Sequence, residues 1–159
     1  MTAGTGERAV RGPCDLVSSA ATADLAWLAR QAAGALTAVV DRVCRDAGLA
    51  DMRDWLVLGL AGDGLPRTQL EIASMLGIDK TTLVSILDRL ERDGLVVRRL
   101  SPTDRRVRVP ETTPAGAALR DRVTADRDAA FAERLAAVPP AEQETFRRVL
   151  WSVATGPAC

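Results

Sequence analysis

The chain has 159 residues, with 21 basic and 21 acidic groups and no histidine, so it is long enough to bury one core without disulfides or metals and carries no net charge. A neutral balance excludes a general nucleic-acid coat protein, and the absence of His removes Ser/His/Asp catalysis and zinc frameworks of the Cys/His kind. Apolar residues reach 47% but aromatics only 3%, with no Tyr, which points to helices packed through Ala, Leu and Val.

Charge is unevenly spread. Residues 66–108 carry 9 basic and 6 acidic groups, a net of +3, while the segments before and after them carry −2 and −1. A small cationic block between mildly acidic flanks suits a protein that touches an anionic backbone with one face. No phosphate-cradling Gly loop occurs and the carboxylates are scattered over helical faces, so no enzyme, metal or cofactor site is expected. No signal segment or apolar run of about 18 residues is visible, so the expectation is a cytoplasmic protein without a membrane partner, its thiols reduced.

Residues 1–20 mix Gly, Ala, Thr and Pro without periodicity and read as a mobile arm. From Asp24, residues Leu25, Leu28, Ala32, Leu36, Val39 and Val43 form one apolar stripe on a helix ending near Gly48, with Trp27 off its centre. A shorter helix follows over about Asp51 to Leu60, and Gly62, Gly64 and Pro66 then mark a loop. In TQLEIASML, Thr68 and Glu71 have the spacing of a capping box; Gly77 ends that helix and Asp79 caps the next. Leu83, Ile86, Leu87 and Leu90 give the latter an inner face, with Gly94 as a left-handed stop. LVVRRL and VRV around the turn-rich SPTDRR predict a two-stranded hairpin. Thr113 and Pro114 start a helix whose stripe of Leu119, Val123, Ala130, Leu135 and Val138 is expected to persist until Pro139 and Pro140. A last helix carries Phe146, Val149, Leu150 and Val153.

Ala73, Gly77, Ile78, Leu83 and Ile86 supply what a helix-turn-helix needs: a small residue at the crossing, a turn residue able to take positive φ, and apolar locks. The second helix is then free to turn Lys80, Thr81, Thr82, Ser85 and Arg89 toward a major groove, with Thr68, Arg98 and Arg99 as further contacts. The hairpin makes the unit a winged helix, and Asp104, Arg105 and Arg106 at its tip suit a narrow minor groove, whose negative potential attracts Arg. A plain αα-hairpin with a solvated tip is the competing structural reading.

Residues 95–116, LVVRRLSPTDRRVRVPETTPAG, resemble the wing signature of the MarR family, the multiple antibiotic resistance regulators, and the resemblance extends over roughly residues 22–156. It implies a mainly α fold with a small β-hairpin wing, in which a winged helix-turn-helix over 51–113 is flanked by dimerisation helices at 21–50 and 114–156. It also implies a homodimeric regulator of transcription bound to a pseudo-palindromic operator on double-stranded DNA, a repressor released by a small aromatic or amphipathic ligand. On this resemblance Arg106 enters the minor groove and Asp104 holds its side chain by a charge-assisted bond. Pro110 in the second wing strand and Thr112, where the family usually has Leu, depart from the pattern; Pro cannot donate to a ladder, so that strand should be short or an edge. The amphipathic terminal helices find little surface on a winged-helix unit of about 65 residues, which independently points to a second copy.

Trp27, Arg53 and Trp55 are candidate ligand-lining residues, with core packing as the alternative for both Trp side chains. Some relatives in this family sense peroxides through a Cys activated by Tyr hydroxyls. Here Cys14 lies in the arm, no Tyr exists, and Cys44 suits a small buried hydrophobe. Thiol-based redox sensing through Cys14 or Cys44, and a winged helix that binds protein instead of DNA, stand as alternatives.

Overall fold

A computed structural model describes residues 24–100 and 108–156. The arm with Cys14, and the wing tip with Asp104, Arg105 and Arg106, lie outside the described residues. By compactness the chain divides into residues 1–36 and 37–159. The element order is α1 (Leu25–Asp46), α2 (Met52–Ala61), α3 (Gln69–Leu76), α4 (Lys80–Arg92), β1 (Val96–Leu100), β2 (Arg108–Thr112), α5 (Pro114–Arg134) and α6 (Pro140–Thr155). The described residues are thus mainly helical with a two-stranded antiparallel hairpin.

In the first unit, α1 begins where the Asp24 carboxylate accepts the Trp27 N–H at 2.9 Å, which satisfies a donor that the helix itself leaves open. The second unit holds the core. Val40, Val43 and Cys44 of α1, Val57 and Leu58 of α2, Ile72 and Ala73 of α3, the inner face of α4, Val96 of β1 and Val123 of α5 are all buried in one cluster. Asp41 of α1 accepts the Met52 N–H at 2.9 Å and so ties α1 to the first turn of α2, which Asp51 caps by accepting the Arg53 N–H.

The α3–α4 pair is built by local chemistry. Thr68 N–H donates to Glu71 Oε2 (2.7 Å) and Glu71 N–H donates to Thr68 Oγ1 (3.2 Å), the reciprocal bonds of a capping box. Gly77 takes the left-handed conformation (φ 62°), which lets Ile78 N–H return to Ala73 O at 3.0 Å and ends α3 within a single turn. Ala73, 3% exposed, is small enough for the two helices to cross over it.

The hairpin pairs Val96 with Thr112 through to Leu100 with Arg108, which sets Pro110 opposite Arg98. In a two-stranded sheet both strands are edges, so the donor that Pro110 lacks costs the ladder little. The Thr112 hydroxyl donates to Leu58 O at 2.8 Å and ties β2 to α2, a bond that a Leu at this position would not make.

Two features of the α5 region follow from close contacts. Thr113 Oγ1 accepts the Gly116 N–H (3.1 Å) and donates to Gly94 O (2.8 Å), pinning the start of α5 to the end of α4. Gly116 is buried, and a Cβ there would overlap the Leu95 carbonyl oxygen and lie 2.9 Å from Thr112 Cγ2. The end of α5 differs from what periodicity predicts. The apolar stripe extends to Val138, but the helix stops at Arg134. Val138 precedes Pro139, which disfavours helical backbone there, and Gln143 Nε2 from α6 donates to the freed carbonyls of Leu135 (3.1 Å) and Val138 (2.8 Å).

Gly116→Ala should destabilise the protein by about 1–3 kcal/mol, because backbone as well as side chains must shift to admit one methyl group. Thr68→Ala, which removes half of a capping box on an exposed helix start, should cost about 1 kcal/mol. Urea unfolding followed by circular dichroism measures both, and a neutral Gly116→Ala would mean that α5 starts elsewhere.

Candidate nucleic-acid interface

Rotation by about 100° per residue puts Thr81, Ser85, Asp88 and Arg92 on the side of α4 opposite its buried face, and all four are exposed. Lys80, also exposed, opens the helix. Asp79 caps it by accepting from Thr82 N–H (2.9 Å) and Thr82 Oγ1 (2.6 Å), bonds that lower the Asp79 carboxyl below its usual range. Thr82 is therefore engaged at the helix start, and Ser85 Oγ donates to Thr81 O at 3.1 Å while its lone pairs stay open. Thr68 is likewise occupied by its capping box.

The arginines expected at the interface are ion-paired. Arg89 lies on the α4 flank facing α2, where Nε donates to Asp54 Oδ2 (3.1 Å) and Nη2 to Asp54 Oδ1 (2.5 Å) in a two-point fork. Asp54 is completely buried, and its Oδ2 also accepts the Ala50 N–H at 2.9 Å. The hydrogen bonds and charge of Asp54 hold the Arg89 pKa above its ordinary value. On the other flank Arg98 of β1 reaches Asp88 and Glu91 of α4, and its Nε is buried without a partner among the described residues. Arg99 Nε donates to Glu111 Oε2 across the hairpin at 2.7 Å.

Asp88, Glu91 and Arg92 on this surface, and Asp54 buried beneath it, are thus residues that sequence reasoning misses. Arg92 is accessible to periodicity, since it follows Thr81 and Ser85 on one helical face. Asp54 has a weaker signal: it shares a stripe with Val57 and Leu58, so its carboxylate points into the core and needs a cation.

The candidate ligand residues fall in different units. Trp27 belongs to the first unit, on the opening turn of α1. Arg53 pairs with Asp51 at 2.5 Å on the surface. Trp55 is partly buried; its indole N–H donates to Thr124 Oγ1 (3.2 Å), and the Arg127 guanidinium stands 4.8 Å over its ring. Two hollows of about 370 Å³ lie along α1 and α5, one lined by Val39, Arg42, Ala130, Glu133 and Arg134, the other by Val43, Asp46, Ala47, Arg122 and Asp126.

Comparison with known proteins bears on this arrangement. Residues 47–107 match the MarR family model. A MarR-family transcriptional regulator from Rhodococcus sp. RHA1 superposes with a TM-score of 0.75 at 30% identity, over 87% of this chain and 96% of that one. CouR from Rhodococcus jostii RHA1 bound to p-coumaroyl-CoA gives 0.73 at 31% identity, over 89% and 99% of the two chains. The CouR repressor bound to a 23-mer DNA duplex gives 0.73 at 28% identity, over 82% and 92%. A protein of Thauera aromatica assigned to transcriptional regulation of the hcr operon is 40% identical over 53 residues, a match spanning 33% of this chain and 31% of that relative.

Cys44 is fully withdrawn from water. Burial, then Asp41, Asp54 and Asp51, push its thiol up to about 11 against the opposing effect of Arg45. The thiolate is the reactive form, and with that pKa only about one thiol in a thousand is ionised at pH 8. With Cys14 and Cys159 replaced by Ser, Cys44 should resist Ellman's reagent in the native protein and react at once in denaturant. Rapid native reaction at pH 8 would restore Cys44 as a redox sensor.

Proposed function

The chain belongs to the MarR family of transcriptional regulators, and on that premise we propose that it is a homodimeric repressor that holds a pseudo-palindromic DNA duplex and releases it when a small aromatic or amphipathic ligand binds. The observation that carries this is the setting of α4. Its inner face is locked in the core, its hydroxyl-bearing face looks outward, and a hairpin stands beside it, the arrangement that reads a major groove with a helix and a neighbouring groove with a wing.

Residues 51–113 serve as the DNA-binding part in this proposal, with 21–50 and 114–156 as dimerisation helices. None of α6 is buried, and Phe146, Val149, Leu150, Trp151 and Val153 stand open, the last two at 72% and 78%. An apolar row of that size on one helix calls for a cover, and an identical helix related by two-fold symmetry supplies it. Two recognition helices about 34–36 Å apart would then meet half-sites one turn of the duplex apart. Arg106 enters the minor groove, with Asp104 fixing its rotamer and Arg105 beside it.

The hollow that carries Arg42 and Arg134 against Glu133 alone has a cationic excess that suits an anionic ligand, whereas in the other Arg122 faces both Asp46 and Asp126. A relative such as CouR binds an acyl thioester with an anionic carrier, p-coumaroyl-CoA. Trp27, Arg53 and Trp55, none of which lines either hollow, are each kept as a proposed apolar or cationic contact. The protein acts in the cytoplasm by binding alone, without a reaction of its own; among the described residues no helix is long and apolar enough to cross a membrane.

Duplexes selected from a random pool should show two related half-sites, and sedimentation should show a dimer at micromolar concentration. Ser85→Ala should shift the selected sequence. Arg106→Ala should weaken binding and flatten the slope of log affinity against log salt by about 0.9 for each phosphate no longer engaged. A folded monomer, or a selection without any enriched sequence, would overturn the proposal.

A further inference from the structure

A helix with its side chains is about 10–12 Å across and the major groove is about 12 Å wide, so the flanks of a helix lying in that groove stand against the two phosphate strands. Arg89 occupies such a flank of α4. Its side chain is 34% exposed, so it has access to solvent, yet its guanidinium is forked onto Asp54, whose side chain is fully buried. The other flank repeats the pattern, with Arg98 held by Asp88 and Glu91. On both sides a cation placed to meet phosphate is neutralised by carboxylates of its own chain.

Neutralised cations bear directly on selectivity. Attraction of a protein to DNA of any sequence comes from Lys and Arg displacing condensed counterions, and it scales with the number of phosphates engaged. Arg89 cannot turn to a phosphate without stranding the Asp54 carboxylate, buried and unpaired, which the fold resists.

We propose that Asp54 is a specificity-determining residue: by holding Arg89 in a buried fork it withdraws a cation from the phosphate backbone, keeps affinity for arbitrary DNA low, and leaves the outward face of α4 to decide where the protein binds. The inference rests on the DNA-binding reading above. It assigns to α2, a helix packed against α4, control over how sharply α4 discriminates.

Three proteins test this: wild type, Asp54→Asn, and Asp54→Asn/Arg89→Gln. Asn keeps the shape of Asp without its charge, and the double variant restores an amide pair in place of the fork. Each is checked for fold by circular dichroism and urea unfolding. Each is then titrated by fluorescence anisotropy, over a range of salt, against a mixed-sequence duplex and a duplex selected by the wild type. Asp54→Asn should bind the mixed-sequence duplex several-fold tighter at low salt, with a slope steeper by about 0.9 for each phosphate that a freed Arg89 engages. Its ratio of selected to mixed-sequence affinity should fall. The double variant should return to the wild-type slope.

A folded Asp54→Asn protein with an unchanged or shallower slope would overturn the proposal. A double variant whose slope is shallower than that of the wild type would also overturn it, by showing that Arg89 already meets phosphate; that comparison holds even where Asp54→Asn alone does not fold. Absence of salt-dependent binding by the wild type would sink the DNA-binding reading and this inference together, whereas binding with either of the preceding results sinks only the inference.

Discussion

Leu83, Ile86, Leu87 and Leu90 are between 0% and 3% exposed, and their burial fixes the rotation of α4 about its own axis. Each side chain withdrawn from water in this way contributes about 1.5–3 kcal/mol, far more than any single polar contact on the opposite face. A turn of one residue would carry Ser85 or Asp88 toward the core and a leucine into water. The outward set is therefore a consequence of the inward one. Ile72 and Ala73 of α3, Val57 and Leu58 of α2 and Val96 of β1 complete the socket, which is why the helix pair and the hairpin form one unit.

Given that rotation, electrostatics on the two flanks refines the site. Asp54 is buried beside α4, and a buried carboxylate is tolerable only if its oxygens are satisfied; Ala50 and Arg89 do so. Loss of Arg89 alone would leave that charge stranded at a cost on the order of 3 kcal/mol. Arg98 ties the hairpin to α4 through Asp88 and Glu91. The net charge of +3 over residues 66–108 already counts the acids that Arg98 meets, but it overstates the cation available to a ligand because Arg89 is held by Asp54, outside that segment.

The terminal helices show the opposite condition. Within residues 37–159 the core receives Val123 from α5, yet α6 buries nothing and turns Trp151 and Val153 to solvent. A chain that invests an amphipathic helix without using its apolar face is incomplete by itself. The same property that makes α6 costly in a monomer makes it suitable for a symmetric partner.

On α1 the core takes Val40, Val43 and Cys44, of which only Val43 lies on the stripe that periodicity picks out. Features decided within four or five residues, however, are legible in the amino-acid order itself: the Thr68–Glu71 box, the caps at Asp79 and Thr113, the left-handed Gly77 and Gly94, and the apolar face of α4. Their energetics are local, so spacing alone specifies them, and together they determine a mainly helical chain with a helix-turn-helix and a hairpin. Periodicity also says which side of α4 faces inward. It does not say which charged side chain will meet another, because that depends on elements far apart in the chain brought together by the core. Arg89 finds Asp54 across 35 positions, Thr112 finds Leu58 across 54 and Trp55 finds Thr124 across 69. The end of α5 mixes the two: Pro139 is a local stop that the sequence shows, but the helix already ends at Arg134, and Gln143 of α6 takes the carbonyls of Leu135 and Val138. The inventory of polar and cationic residues is written in the sequence, whereas packing decides which of them remain uncommitted, because only packing brings a donor within hydrogen-bond range of an acceptor so distant in the chain.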